Sequence, residues 1–286
     1  MATLRDIKRR ISSVQSTQQI TKAMKMVAAA KLRKAQMQII EARPYAKRLS
    51  KMLGHVATKV DRNLHPLMME REPNRVCYVA VSADKGLCGS FNAGIIRRVQ
   101  DEIRSCPANE KFIIPIGRKV REHFLKRDYN VYTHYEDFFH ELSFSFAQAI
   151  GQDIINAYKE NTFDQINVVY NEFKSAAHHR IIVEQLLPIV PVLPQDEKYP
   201  VDYFFEPSPG DILDEICPRN INFQIWRILL ESNAAEHAAR MIAMENATEN
   251  AQDMIKELTL YYNKVRQATI TRELIEVVSG ADALKG

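Results

Sequence analysis

Two segments at opposite ends of this chain, residues 1–58 and 219–280, read as long helices. Helix formers fill both, Pro44 is the only proline in the first, and the second has none. A helix cannot bury its own apolar stripe, so each needs a partner, and each is the other's nearest candidate. The segment between them joins their inner ends. The pair is therefore expected to be antiparallel, with both chain termini at the same end.

The second segment carries the clearer pattern. Leu230, Ala234, His237, Met241, Met244, Thr248, Ala251, Ile255, Leu258, Tyr262, Val265 and Thr269 follow alternating steps of four and three. This is a heptad seam sustained for more than five heptads. Its many small residues permit close approach of a second helix. About 62 helical residues at a rise of ~1.5 Å span roughly 90 Å, several times the diameter of a small domain. In the first segment Ile7, Ile11 and Val14, then Ile20, Met24 and Val27, recur at similar steps, with a slip between Val14 and Ile20. Pro44 is expected to kink or interrupt that helix near Ala42.

Between the two helices the period changes. Val76–Ser82, Lys111–Ile116, Asn130–His134, Gln165–Tyr170 and Arg180–Leu187 read as strands. Phe91–Ser105, Arg118–Arg127 and Leu142–Glu160 read as helices. Alternation at this spacing predicts a doubly wound, mainly parallel layer, with the direction of the last strand pair left open. The fold class is thus α/β: an antiparallel coiled coil of the N- and C-terminal helices plus a central Rossmann-like domain. The expected boundaries are 1–60 and 219–286 for the two coiled-coil helices, 75–190 for the α/β domain, and 191–218 for a proline-rich connector.

Charge is distributed unevenly. The first 51 residues hold thirteen Lys and Arg against Asp6 and Glu41, a local charge of +11 that leaves −7 for the rest of a chain whose overall charge is +4. Such a split predicts a negative partner for the N-terminal helix. Its basic residues cluster as Lys8, Arg9 and Arg10, then Lys22, Lys25, Lys31, Arg33 and Lys34. Nucleic-acid binding would usually add stacking aromatics, and residues 1–44 contain none. A membrane-surface helix would carry a wide apolar face with Trp or Phe, also absent. An acidic protein surface is the most economical partner. A coiled-coil nucleic-acid or chaperone-type binding module is the alternative.

No run approaches the ~18 consecutive apolar residues of a membrane span, and the N-terminus lacks the apolar core of a secretory signal. The four cysteines, Cys77, Cys88, Cys106 and Cys217, show no CxxC spacing and read as reduced, mostly buried thiols. The loop ADKGLCGS (83–90) stands where an α/β sheet would hold a nucleotide, yet it matches neither GxGxxG nor GxxxxGK[ST]. Cys88 has no base placed near it by sequence, His178 and His179 are adjacent and cannot chelate as an i, i+4 pair does, and His237 falls on the heptad seam. A strand-to-helix turn, buried thiols and a polar seam residue are the plainer readings. No catalytic set, metal cluster or cofactor motif emerges.

Five stretches carry a resemblance to a known family: ITKAMKMVAAAKLRKAQ (20–36), SADKGLCGSFN (82–92), IGRK (116–119), YNEF (170–173) and the long run from Ala239 to Leu284 beginning ARMIAMENATENAQ. Together they resemble the F-type ATP synthase gamma subunit, and the likeness covers both helices and most of the middle. The resemblance implies a rotating, non-catalytic central shaft. Its paired helices would sit in a ring of alternating alpha and beta subunits, and its α/β domain would bind the epsilon subunit and the ring of c subunits. Met24 matches a tightly packed methionine facing a beta subunit. Arg240, Arg266, Gln267 and Thr271 match positions that touch a beta-subunit loop or support coupling. The basic positions at the start of the family's first helix are represented by Lys8, Arg9 and Arg10. With only Cys217 in the connector, the dithiol switch of photosynthetic members is not expected. The absence of a transit peptide favours a bacterial protein, held peripherally on the cytoplasmic side of the plasma membrane.

Overall fold

The computed structural model of this chain describes residues 3–59, 65–137, 139, 142–175, 179–191 and 209–283. By packing, the chain divides into two compact units, residues 29–240 and residues 1–28 with 241–286. Two helices, α1 (Leu4–Lys59) and α5 (Pro209–Ala283), contribute to both.

The larger unit is built on a four-stranded sheet of β1 (Arg75–Val81), β2 (Glu110–Ile116), β3 (Gln165–Phe173) and β4 (His179–Leu187), in the order β2-β1-β3-β4. β2 and β3 run parallel to β1, whereas β4 is antiparallel to β3, which resolves the direction left open by the sequence. Apart from Arg75, every residue of β1 is buried, because helices cover both faces of the sheet. Cys77, Val79 and Val81 point to one face, where they meet Ile150 and Ile154 of α4 (Phe144–Lys159), Leu53 and Val56 of α1, and Ile221 and Ile225 of α5. Val76, Tyr78 and Ala80 point to the other, against α2 (Phe91–Ser105) and α3 (Arg118–Leu125), through Ile95, Val99, Val120 and Phe124. The period-two alternation of one strand thus feeds two separate cores.

Three expectations require correction here. Asn130–His134 does not form a strand; it and Tyr135 after it meet β2 in isolated bridges, Ile113 to Val131 and Ile116 to Tyr135. Of the kink or interruption expected at Pro44, the interruption is absent, since the residue lies inside α1. α5 begins at Pro209 rather than near 219, and carries Pro218 within it. A proline removes one backbone hydrogen bond and crowds the preceding turn. Around Pro218 the buried Leu213, Ile216, Cys217 and Ile221 offset that cost by packing into the core. Around Pro44 the buried Ile39, Ala46 and Leu49 do the same. Of the expected connector, residues 192–208 lie outside the described residues.

In the smaller unit the ends of α1 and α5 pair. The hydroxyls of Thr21 and Thr248 lie 2.8 Å apart, and Lys25 Nζ reaches Glu245 Oε1 at 2.5 Å. The partner number falls on α5 as it rises on α1, so the pairing is antiparallel, as expected. From Ala251 to Thr269 the only residues not fully exposed are Ala251, Ile255, Leu258, Tyr262, Val265 and Thr269, the six seam positions read from sequence. The expected slip in α1 is absent. Leu4, Ile7, Ile11, Val14, Gln18, Thr21, Lys25 and Ala28 keep one unbroken heptad of shielded residues, while Ile20 and Val27 are 60% and 57% exposed. Polar side chains continue the seam where an apolar count sees a break.

Candidate functional site

The basic residues of α1 do not share one face. Lys8, Arg9, Arg10, Lys22, Lys31, Arg33 and Lys34 are all exposed. Counted on the heptad, Lys8 and Lys22 follow the seam by one residue, Arg9 by two, and Arg10 by three. Within the larger unit, Lys31, Arg33 and Lys34 occupy three different outward positions around Leu32. Positive charge is thus presented on several sides of the helix, as a charged surface to be surrounded rather than a stripe to be docked. Lys25 differs. It sits on the seam, half-buried, and is held by Glu245. Met24 beside it is also half-buried.

Of the α5 positions, Arg266, Gln267 and Thr271 are exposed. If the register set by Thr21–Thr248 and Lys25–Glu245 is followed outward, α1 runs out opposite this stretch. From Ile270 to Ala281 every residue of α5 is exposed, including Leu274 at 61% and Val277 at 69%. An unpaired helix end with this much apolar surface is unusual for a chain that works alone.

Arg240 is placed differently from the other three. It turns inward, pairs with Glu236 one turn earlier on α5, and donates from Nη2 to the carbonyl of Gly86 at 3.1 Å. It therefore ties the 82–90 loop to α5. Side chains of the loop and of the start of α2 take up the neighbouring backbone donors. Asn92 Oδ1 accepts from Ala83 N at 2.9 Å, and Ser82 Oγ accepts from Val120 N at 3.1 Å. Asp84 Oδ1 accepts from Arg118 N at 3.0 Å. Arg118 opens α3, so a carboxylate already occupies the position at that helix N-terminus where a bound anion would sit. Gly117, at φ 102°, has the conformation that favours glycine, and a Cβ there would lie 2.2 Å from Ser82 O. The cavity beside this loop, about 70 Å³ and lined by Asp84, Lys85, Glu236, His237 and Arg240 among others, is too small for a nucleotide.

Burial pushes the Cys88 thiol upward, away from nucleophilic use, and raises Cys217 to about 12. His237 is buried, with Nδ1 2.8 Å from Glu236 Oε2. His178 lies outside the described residues, as does the side chain of His179. Among the described residues no group of three or more His, Cys, Asp or Glu is placed to hold a metal ion, and no helix is long and apolar enough to cross a membrane.

Sequence reasoning missed Glu245, Glu236 and a second ion network around Arg227. The available signal was spacing alone: Glu236 and Arg240, like Arg227 and Glu231, stand four apart on a helix.

These features define a class: subunits whose paired terminal helices enclose, in sequence, a mixed α/β sheet domain. A family model described as ATP synthase matches residues 3–284. The ATP synthase gamma chain of Chlorobaculum parvum is 49% identical over 291 residues, covering 100% of both chains. That of Geobacter metallireducens is 44% identical over 288 residues, again covering 100% of each. Among solved structures, a chain of the Tetrahymena thermophila mitochondrial ATP synthase central stalk and c-ring is 26% identical, with a TM-score of 0.61 over 80% of this chain and 99% of that one. A chain of the Euglena gracilis mitochondrial enzyme, in its F1 and c-ring assembly, has a TM-score of 0.70 at 21% identity, over 98% of this chain and 94% of that one, a likeness of fold alone. The chain belongs to the ATP synthase gamma-chain family. It is a central-stalk rotor subunit and is not itself catalytic.

Proposed function

We propose that this chain couples proton translocation to ATP synthesis or hydrolysis by rotating inside a hexameric ring of alpha and beta subunits. The epsilon subunit and the ring of c subunits are its other partners, on the cytoplasmic side of a bacterial plasma membrane. The observation that carries this reading is the unpaired end of α5, where exposed Leu274, Ile275, Val277 and Val278 adjoin Arg266, Gln267 and Thr271. Apolar surface of this extent calls for a close-fitting sheath, and a ring encloses a helix end from all sides. Arginine and an amide beside it supply directed hydrogen bonds to carboxylates, which suits a catch that engages at one angle and releases at another. Charge spread around α1 fits the same housing. Exposed ion pairs are worth about 0–1 kcal/mol each, weak enough to be made and broken at every angle. Arg240 belongs to this set as the residue that holds the 82–90 loop on α5, with its beta-subunit role acting through that loop.

The test is the double variant Arg266→Ala with Gln267→Ala in membrane vesicles. The subunit is expected to fold and assemble, since both side chains are exposed, while coupled ATP synthesis falls. Undiminished synthesis would remove the proposed catch.

A further inference from the structure

Within the larger unit, α5 crosses the antiparallel pair β3–β4, and one side chain makes the crossing polar. Arg227 Nη2 donates to Glu184 Oε1 at 2.9 Å and Oε2 at 2.7 Å, and Nη1 donates to the Tyr170 hydroxyl at 2.9 Å. Tyr170 in turn donates to Glu184 Oε2 at 3.1 Å, and Arg227 Nε is taken by Gln224 at 2.8 Å. Glu231, buried one turn further along α5, stands 3.7 Å from Nη1. Each guanidinium nitrogen is thus occupied, and two of the three reach across to different strands. A ligand site would leave a guanidinium nitrogen free; this one leaves none.

Stability alone does not account for the network. The Arg227 and Glu184 side chains are 19% and 39% exposed; ion pairs that water reaches contribute little, and replacing buried ones by apolar side chains of similar volume is often neutral or favourable. What a planar guanidinium adds is direction, with Nη1 fixed on β3 through Tyr170 and Nη2 on β4 through Glu184. The apolar contacts of α5 with the sheet, through Ile221, Ile225, Ile228 and Leu229, accommodate a small rotation of the helix about its axis by changes of rotamer. A guanidinium held by two strands does not. Five residues earlier, Asn222 of α5 fits against Gly151 of α4, where a Cβ would lie 2.0 Å from Asn222 Oδ1. α5 is therefore keyed on two sides.

We propose that Arg227, held by Glu184 and Tyr170, is a torsional anchor: a positioning residue that stops α5 from turning against the sheet, so that torque on the helix passes to the α/β unit and back. This rests on the rotor reading above. The test uses the full chain assembled with its complex, the alpha/beta ring immobilised and an optical probe on an engineered cysteine at Asp101 on α2. Three variants are compared: Arg227→Met, Arg227→Lys and Tyr170→Phe. The readouts are the angular spread of the probe during the ATP-waiting dwell and the protons pumped per ATP hydrolysed.

Arg227→Met is expected to keep ATP hydrolysis, to widen the angular variance about twofold or more, and to lower pumping per ATP by a similar factor. Arg227→Lys retains the charge without the fork and is expected to behave like Met, whereas a role in charge balance alone predicts wild-type values. Should the Met variant fail to assemble, Tyr170→Phe removes the hydroxyl's two hydrogen bonds, to Arg227 and to Glu184, and still widens the variance. Wild-type variance and pumping ratio in the assembled Met or Lys variant, or in Tyr170→Phe, would overturn the anchor. If the unaltered complex hydrolyses ATP while this chain stands still, the rotor reading itself fails, and the anchor with it.

Discussion

Asp164 receives Arg75 N at 2.8 Å, Arg75 Nη2 at 3.0 Å and Arg75 Nε at 3.4 Å, and its own N–H donates to Arg75 O at 2.8 Å. One carboxylate therefore fixes the starts of β1 and β3 together. Burial works against its charge, but the Arg75 hydrogen bonds outweigh it and hold the group below its ordinary value of 3.8. A depressed carboxylate contributes stability above its unfolded pKa and loses it as pH falls through the folded one. Asp164→Asn is thus expected to cost about 1.5–3 kcal/mol at neutral pH. The gap should shrink on acidification below the ordinary carboxylate range, where Asp itself becomes neutral. Urea unfolding of both proteins at pH 7 and in strong acid checks this; a gap independent of pH would contradict it. Met24 gives a second residue-scale prediction. Half-buried between Lys22 and Lys25, it sits where a new cation would compete for Glu245. Met24→Lys is expected to impair ATP-driven pumping more than ATP hydrolysis, and equal loss of both would count against a coupling role. Neither the Lys25–Glu245 pair nor the inward turn of Arg240 was legible in the sequence. Both depend on which way a long side chain lies, and residue type does not decide that.

At the scale of elements, legibility followed chemistry. The α5 seam could be read because its residues are mostly apolar or small and keep their period. The α1 seam could not, because Gln18, Thr21 and Lys25 continue it with polar side chains while Ile20 and Val27 face outward. The bound pair Thr21–Thr248 explains how a hydroxyl holds a seam position. Thr21→Val alone is expected to cost about 1 kcal/mol by removing the hydroxyl–hydroxyl bond, Thr248 keeping its bond to the Met244 carbonyl, and Thr21→Val with Thr248→Val less than the sum of the two single changes. A double-mutant cycle by chemical denaturation reads this, and strict additivity would show that the hydroxyls do not interact. The helix start at Pro209 was missed for the opposite reason: proline signals a break locally, and the core packing that overrides it is not local. Where α4 meets α5, Gly151→Ala forces a Cβ toward Asn222 and is expected to destabilise the larger unit by about 1–3 kcal/mol. An unchanged melting temperature would mean that the interface yields freely.

At the scale of the whole molecule, the sequence revealed the fold class and the family most readily, since its longest matching stretches lie on the two helices that define both. The contrast of +11 in the first 51 residues with −7 in the remainder predicts a negative partner for the N-terminal helix. Two compact units share two continuous helices, dividing within α1 after Ala28 and within α5 after Arg240, and no composition shift marks either point. The central claim is mechanical: this chain turns inside its ring. The direct measurement is single-molecule observation of the reconstituted complex, with the alpha/beta ring fixed to a surface and a probe attached to this chain. Addition of ATP is expected to drive rotation of the probe in one direction, stopping when ATP is exhausted. ATP hydrolysis at full rate with the probe stationary would contradict the account.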